Sequence, residues 1–408
     1  MGHRVLSMVV ALFVGVYVAR YLGPERFGLL SYAMSFVGLF TALATLGLDG
    51  IMVRELVKTP VRRDELLGTA FRLKAGGAIL MWIGIAAAIP FTHNDTQTNI
   101  LIAIIAFGVI FQAFNVIDFN YQAEVKSKYV VYTQLVQLVV SSITKLVFVW
   151  ISAPLVWFAC VFLFDGVVHA VGLTTMYLKN TGRIWYWKWQ WETAKELLRD
   201  SWPLILSGMV ISIYMKIDQV MIKEMLGAEQ VGHYAAAVRL SEAWYFVPIV
   251  VTGSLFPAII NAKKVSEELY YQRLQKLYSL MIWVALAIAL PMTFLSDWVI
   301  RLLYGEVYED SAGVLMVHVW SLIPVVFGVV LGRFYIVENL NIDNLARNVT
   351  GAIINVILNI FMISWYGIIG AAFSSLISYF YISVIYALIR KHSRRNFRCM
   401  LRSIIFSK

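Results

Sequence analysis

The chain has 408 residues, of which 60% are hydrophobic and only 14% charged, and its mean hydropathy is +0.74. That balance excludes an ordinary soluble protein, in which apolar residues make up about half of the total. A net charge of +10 could point to nucleic acid, but the basic residues gather in alternate loops, as in a membrane protein setting its orientation, so no nucleic-acid partner is expected.

Apolar runs of about 20 residues, the length of helix that crosses a bilayer, recur along the chain. Twelve spans are expected, over residues 4–20, 28–50, 75–91, 99–119, 129–152, 154–178, 201–222, 232–260, 277–296, 311–336, 345–365 and 367–390. Of the 34 Lys and Arg, twenty-seven fall on the side that holds both termini. Arg20, Arg26, Lys223 and Arg301 fall on the other side, and Lys145, Lys216 and Arg239 lie within spans. The bias places both termini in the cytoplasm. The first span is expected to be retained, because no small-residue cleavage site follows it. With Cys160 in a span and Cys399 in the tail, no structural disulfide is expected.

Spans one and two are joined by the short turn Tyr21-Leu-Gly-Pro-Glu-Arg-Phe-Gly. In span two, Ser31, Ser35, Gly38, Ala42, Thr45 and Asp49 follow steps of 3 or 4 and form one small or polar face. Such a face lets helices approach closely, and it could equally line a cavity. Span five carries a second stripe of Gln134, Gln137, Ser141 and Lys145. In span six, Asp165 and His169 are four apart and share a face, which suits either ion or proton coupling or a structural pair. Residues 179–200 hold Trp185, Tyr186, Trp187, Trp189 and Trp191 among lysines. This stretch is expected to be an interfacial cytoplasmic linker, helical over 180–200 and lying at headgroup depth.

At Leu226 the chain reads Leu-Gly-Ala-Glu-Gln-Val-Gly-His-Tyr, so that Leu22, Gly23, Glu25 and Gly28 recur 204 residues later, half the chain length. A motif that returns at this distance marks a duplicated unit. The fold class expected is therefore an all-α membrane protein, with twelve transmembrane helices in two six-helix bundles related by an internal repeat. One bundle covers 1–178 and the other 201–390, with the linker over 179–200 and a basic cytoplasmic tail over 391–408 lying on anionic lipid. With an even number of spans each, the copies share one orientation and are expected to flank a cavity.

The same offset carries the face of span two onto span eight, where Arg239 and Glu242 stand; Lys216 and Asp218 precede them in span seven. Charges within spans usually face a cavity or a partner. Span eleven carries amides at Asn344, Asn348, Asn355 and Asn359. Amides and an ammonium suit sugar hydroxyls and phosphate oxygens, which need both donors and acceptors, and they also bond one helix to another. Lys145, Lys216 and Arg239 are balanced in number by Asp165, Asp218 and Glu242, so composition alone does not give a cationic cavity.

The Leu-Gly-Pro-Glu-Arg-Phe-Gly turn, Gly47-Leu-Asp49-Gly with Arg54-Glu55-Leu, and Lys216-Ile-Asp218-Gln followed by the second turn resemble the polysaccharide repeat-unit flippases of O-antigen type. These belong to the multidrug/oligosaccharidyl-lipid/polysaccharide exporter superfamily. The resemblance covers nearly the whole chain. It implies alternating access in the bacterial inner membrane, with undecaprenyl-pyrophosphate bearing one oligosaccharide unit moved from the cytoplasmic to the periplasmic leaflet. Membrane lipid, a polysaccharide polymerase and chain-length machinery are the further partners it implies. The chain departs from the pattern at its start, where the counterpart of Ser201 would precede Met1, so the first helix is expected to be short or to begin elsewhere.

Other functions are disfavoured by the sequence. There is no Gly-x-x-x-x-Gly-Lys-[Ser/Thr] loop for ATP, and no His/Cys/Asp cluster at metal-ligand spacing. No cofactor, metal or catalytic residue is expected. A glycan-modifying enzyme would need catalytic groups on a sizeable loop, whereas the loops at 92–98 and 297–310 are short. The main alternative is a multidrug or small-molecule cation antiporter of the same superfamily.

Overall fold

The computed structural model describes residues 2–338 and 340–404; the last four residues of the predicted tail lie outside the described residues. Among the described residues every regular element is a helix. Ten helical runs among the described residues are long and apolar enough to cross a bilayer. Two of them, Leu6–Lys58 with 53 residues and Ile342–Ile389 with 48, each cover two predicted spans. Helix α1 (Gly2–Thr45) passes through Gly23 at φ 72°, and α14 (Asn341–Phe380) through Gly367 at φ 59°. Without a Cβ, glycine takes these left-handed angles readily, so the chain changes direction within a helical run and needs no loop.

Two compact units divide the described residues, one of residues 2–22 and 29–220, the other of residues 23–28, 221–338 and 340–404. In the first, α3 (Arg63–Ala88), α4 (Thr96–Val109), α6 (Lys128–Trp150) and α7 (Leu155–Asn180) pack with α2 (Asp49–Lys58) and α5 (Val116–Ala123). Asp95 caps α4 by accepting from the Thr98 amide at 3.0 Å, and Pro154 precedes α7, where a missing N–H costs nothing. The core of this unit joins Leu48, Met52, Leu67, Val116, Tyr121, Leu173, Tyr177 and Trp187.

Trp187 belongs to the stretch expected to lie as a helix on the membrane surface. Instead it is 9% exposed, stacks near Phe71 and Tyr177, and donates from Nε1 to the Tyr177 hydroxyl at 3.2 Å. The following strand-like residues are pinned to α3: the Lys188 amide donates to the Asp64 carbonyl at 3.1 Å, and the Gln190 amide to Thr69 Oγ1 at 3.1 Å. Within 180–200 the α-helix resumes only at Trp191 and then runs unbroken to Leu226 as α8. Trp185, Tyr186, Trp189 and Trp191 stay exposed, as aromatic residues at headgroup depth do. An aromatic-rich stretch thus divides between protein core and interface, a partition that periodicity does not report.

The small face of span two packs on α8. A Cβ at Gly38 would touch the stem of Lys216 at 3.6 Å, one at Gly208 would touch Ala42 at 3.4 Å, and Ser35 Oγ donates to Gln219 Oε1 at 2.8 Å. This is the close-approach use of small residues, completed by a hydroxyl bond between helices.

In the second unit, α9 (Ala228–Glu242), α10 (Phe246–Val265), α11 (Glu267–Tyr304), α12 (Ser311–His318), α13 (Leu322–Val337) and α14 enclose a core that includes Tyr270, Tyr278, Met281, Val330, Phe334 and Tyr335. Ser266 caps α11 by accepting from the Leu269 amide at 3.1 Å. The turn at residues 23–28 belongs to this unit and meets its later counterpart reciprocally. A Cβ at Gly28 would lie within the carbonyl of Ala228, and one at Gly232 within the carbonyl of Pro24. Gly28 and Gly232 are 204 apart, and so are Pro24 and Ala228. The short helix α15 (Tyr386–Ile389) leads to α16 (Arg394–Ile404), which packs along α11.

Candidate functional site

In the first unit, the polar stripe of α6 meets α7. Ser141 Oγ donates to Asp165 Oδ2 at 2.9 Å, Lys145 Nζ donates to Ser141 Oγ at 2.9 Å, and Lys145 Nζ lies 3.8 Å from the same carboxylate oxygen. The Lys145 ammonium also stands 5.7 Å from the Phe162 ring. Asp165 therefore finds its countercharge across the helix interface. His169, one turn along α7, is half-buried with Nδ1 lacking a hydrogen-bond partner, as Oδ1 of Asp165 does. Gln134 and Gln137 are half-buried on α6.

This pairing makes a direct prediction. Lys145→Met or Asp165→Asn alone should lower the amount of folded protein, since losing a charged hydrogen bond costs about 1.5–3 kcal/mol. The double variant should recover most of that loss in a membrane-fraction immunoblot. Equal losses in the single and double variants would count against the pair.

Lys216 and Asp218 stand on α8. Asp218 is 4% exposed, while Lys216 is half-buried and its ammonium makes no hydrogen bond or ion pair among the described residues. Lys74 falls just ahead of the expected third span, 75–91, where a cation would sit in the loop, yet its side chain is 1% exposed. Lys74 Nζ sits 3.3 Å from Asp49 Oδ1 and 4.9 Å from the Phe119 ring. Lys74 is 25 residues from Asp49, so no helical periodicity could have linked them.

In the second unit, α9 is buried on every residue from Val231 to Ser241 except Arg239, which is exposed. Its guanidinium makes no hydrogen bond or ion pair among the described residues. Glu242, one turn on, is half-buried. On α14, Asn348 is 4% exposed and Asn355 and Asn359 are fully buried, with Asn359 Nδ2 donating to Asn355 Oδ1 at 3.3 Å. Asn344 accepts from Arg347 Nε at 2.9 Å. Arg347 is itself 6% exposed and stacks 5.4 Å over Tyr335, a buried cation that spacing did not single out. Ser241 and His318 Nδ1 share a 2.6 Å hydrogen bond in the interior of this unit. Among the described residues, no group of three or more His, Cys, Asp or Glu is placed to hold a metal ion.

Polar and charged groups spread over long apolar helices define a multi-pass membrane protein. The fold agrees with solved structures of that class. It aligns with an inward-facing multidrug resistance MATE family transporter of the MOP superfamily at a TM-score of 0.75 and 16% identity, covering 97% of this chain and 96% of the other. It also aligns with the lipid II flippase MurJ in an inward closed conformation at a TM-score of 0.74 and 16% identity, covering 99% and 90%. In sequence, the chain is 22% identical over 401 residues to a Shigella flexneri protein assigned as an O-antigen transporter, covering 91% of each. Over 202 residues it is 24% identical to a protein of Haloferax volcanii assigned as a low-salt glycan biosynthesis flippase, covering 48% of this chain and 42% of the relative. The family described as polysaccharide biosynthesis protein matches residues 2–263, and the chain belongs to that family.

Proposed function

We propose that the protein is a flippase for lipid-linked oligosaccharide units, moving undecaprenyl-pyrophosphate-bound glycan from the cytoplasmic to the periplasmic leaflet of a bacterial inner membrane by alternating access. The match over 91% of both chains to an O-antigen transporter carries this reading. It is favoured over a multidrug antiporter because the sequence relatives are glycan transporters, whereas likeness to the MATE transporter extends to the fold alone. Transport of this kind requires no chemical step. A polysaccharide polymerase and chain-length machinery would receive the product.

Twelve crossings follow if the two longest runs each cross twice. A straight helix of 48–53 residues would be over 70 Å long, more than twice the roughly 30 Å of hydrocarbon. The bends at Gly23 and Gly367 then become turns at the membrane surface. On this reading the repeat gives two six-helix bundles, over 1–178 and 201–390, with the linker 179–200, the tail from 391 and both termini in the cytoplasm. Cysteines placed at Ser152 and Glu309, in a background without Cys160 and Cys399, should react with an impermeant reagent added outside. Those at Ser127 and Ser266 should react only once the membrane is opened. Labelling of Ser127 or Ser266 positions in intact spheroplasts would overturn this topology.

Lys216 in the first unit and Arg239 in the second are each a candidate contact for the pyrophosphate, because Lys145 is already matched by Asp165. Gln134 and Gln137 are the candidate sugar-facing amides, whereas Asn348, Asn355 and Asn359 are closed off inside the second unit and serve its packing; Asp218 and Glu242 adjoin the two cations in sequence. Asp165 and His169 keep the role of ion-coupling candidates, each with a buried polar atom lacking a hydrogen bond. The deciding experiment is depletion of the protein followed by a leaflet assay. The lipid-linked unit should accumulate in the cytoplasmic leaflet; accumulation in the periplasmic leaflet, or sensitivity of depleted cells to cationic dyes alone, would refute the flippase reading.

A further inference from the structure

The basic tail was expected to rest on lipid as an amphipathic segment, and α16 is amphipathic, but its uncharged face is already occupied. Asn396, Cys399, Met400 and Ser403 are at most 6% exposed, and Cys399 and Met400 join the core that holds Tyr270 and Tyr278. Arg395 fixes one edge, with Nη1 2.8 Å from Glu267 Oε2 and the guanidinium 4.0 Å over the Tyr271 ring. Just ahead of the helix, Ser393 and the Tyr335 hydroxyl are 2.9 Å apart. The opposite face carries Arg394, Arg398, Leu401 and Arg402, all exposed. The three arginines are spaced by four, so they form one row, and among the described residues they make no hydrogen bond or ion pair. The segment 394–404 contains no acidic residue.

We propose that this row is a docking surface for the anionic phospholipid headgroups of the cytoplasmic leaflet, engaged electrostatically and without insertion. The inference rests on the cytoplasmic placement of the C-terminus given above. An interfacial helix that inserts must bury an apolar face at the acyl boundary. Here that face is spent on α11, leaving a face of three arginines around a single exposed leucine, Leu401, to meet the membrane. An anionic surface is the complementary partner, and guanidinium groups match phosphate oxygens in paired hydrogen bonds. Three such charges together favour the bound state roughly a hundred-fold over a neutral surface, and salt screens the attraction. The tail thereby couples the second unit to the composition of its own leaflet.

The test is hydrogen exchange of residues 394–404 in the full-length protein, in nanodiscs of phosphatidylcholine alone or with about one third phosphatidylglycerol. Exchange should slow several-fold in the anionic discs and return to the neutral rate in about 0.5 M salt. The variant Arg394→Gln/Arg398→Gln/Arg402→Gln should melt like the wild type in neutral discs and show no response to phosphatidylglycerol. Inorganic phosphate added to neutral discs should leave exchange unchanged. Equal exchange in both lipid compositions, a response that persists in the variant, or reproduction of the effect by free phosphate would each overturn the proposal. So would a lower melting temperature of the variant in neutral discs, which would give the arginines a structural role. None of these readouts involves transport, so failure here is separable from failure of the flippase reading.

Discussion

Arg239→Ala is expected to cut export of the lipid-linked unit about ten-fold or more while leaving the protein at its normal level in the membrane. Arg239 is the one exposed residue on an otherwise buried stretch of α9, and its guanidinium makes no hydrogen bond or ion pair among the described residues. An unmatched arginine within a span costs about 2.5–3.5 kcal/mol on insertion scales, so the site favours an anion from outside the protein. A guanidinium pairs with pyrophosphate oxygens through two parallel hydrogen bonds, which a lysine cannot reproduce. Charged hydrogen bonds of about 1.5–3 kcal/mol correspond to a ten-fold or greater fall in transport for the alanine variant, with Arg239→Lys retaining part. Glu242→Gln should not rescue Arg239→Ala. Restoration of export in that double variant would assign Arg239 to a structural pair with Glu242 and remove it from substrate binding.

The second large effect is expected at the reciprocal turns. Gly28→Ala and Gly232→Ala should each sharply reduce folded protein, because the added methyl would occupy the space of a backbone carbonyl. Overpacking a well-fitted contact costs about 1–3 kcal/mol even where side chains can move aside, and a carbonyl held in a helix has less freedom to yield. Gly50→Ala is the control, since a Cβ there has nothing within 4 Å. Protein level and melting temperature in detergent are the measurements. A Gly28→Ala variant as stable as Gly50→Ala would show that the two turns are held apart from each other.

The parts of the fold legible in the sequence are those encoded along a single helix. The all-helical character, the change of direction at Gly23 and the small face of span two depend on local residue chemistry and helical period, and they are present in the structure. Contacts made between helices were not legible. His169 was the obvious neighbour of Asp165 because both share one face of α7, yet the countercharge comes from Lys145 on α6. Lys74 looked like a loop charge by its neighbours in sequence, while its stem is buried and its ammonium reaches Asp49 and Phe119. Trp187 was misplaced for a related reason. Like the apolar side of α16, it was assigned to the bilayer surface from composition, and an apolar surface is covered equally well by lipid or by another helix. Arg239 was identifiable by its charge within a span; that its charge lacks a protein partner could be learned only from its surroundings.

Helix α8 is one continuous piece of 36 residues from Trp191 to Leu226, although it serves both as the end of the linker and as a membrane helix. Its outer turns are held by groups from residues 54–65: Arg54 pairs with Asp200, Thr193 bonds to Glu65, and Arg62 lies 3.5 Å from Glu196. Its inner contact, Gln219 with Ser35, lies 19 residues beyond Asp200, which is about 28 Å along the axis. If the helix tilts as one body across Pro203, it acts as a lever with its pivot at Gln219 and its load at Asp200. A tilt of about 10° at Gln219 displaces Asp200 by roughly 5 Å, enough to part an ion pair. Exposed pairs of this kind hold with only about 0.2–1 kcal/mol each, so they act as a detent that marks a position without locking it. Small rearrangements among the transmembrane contacts of α8 would reach the aqueous face amplified, and charge changes near residues 54–65 would bias them in return.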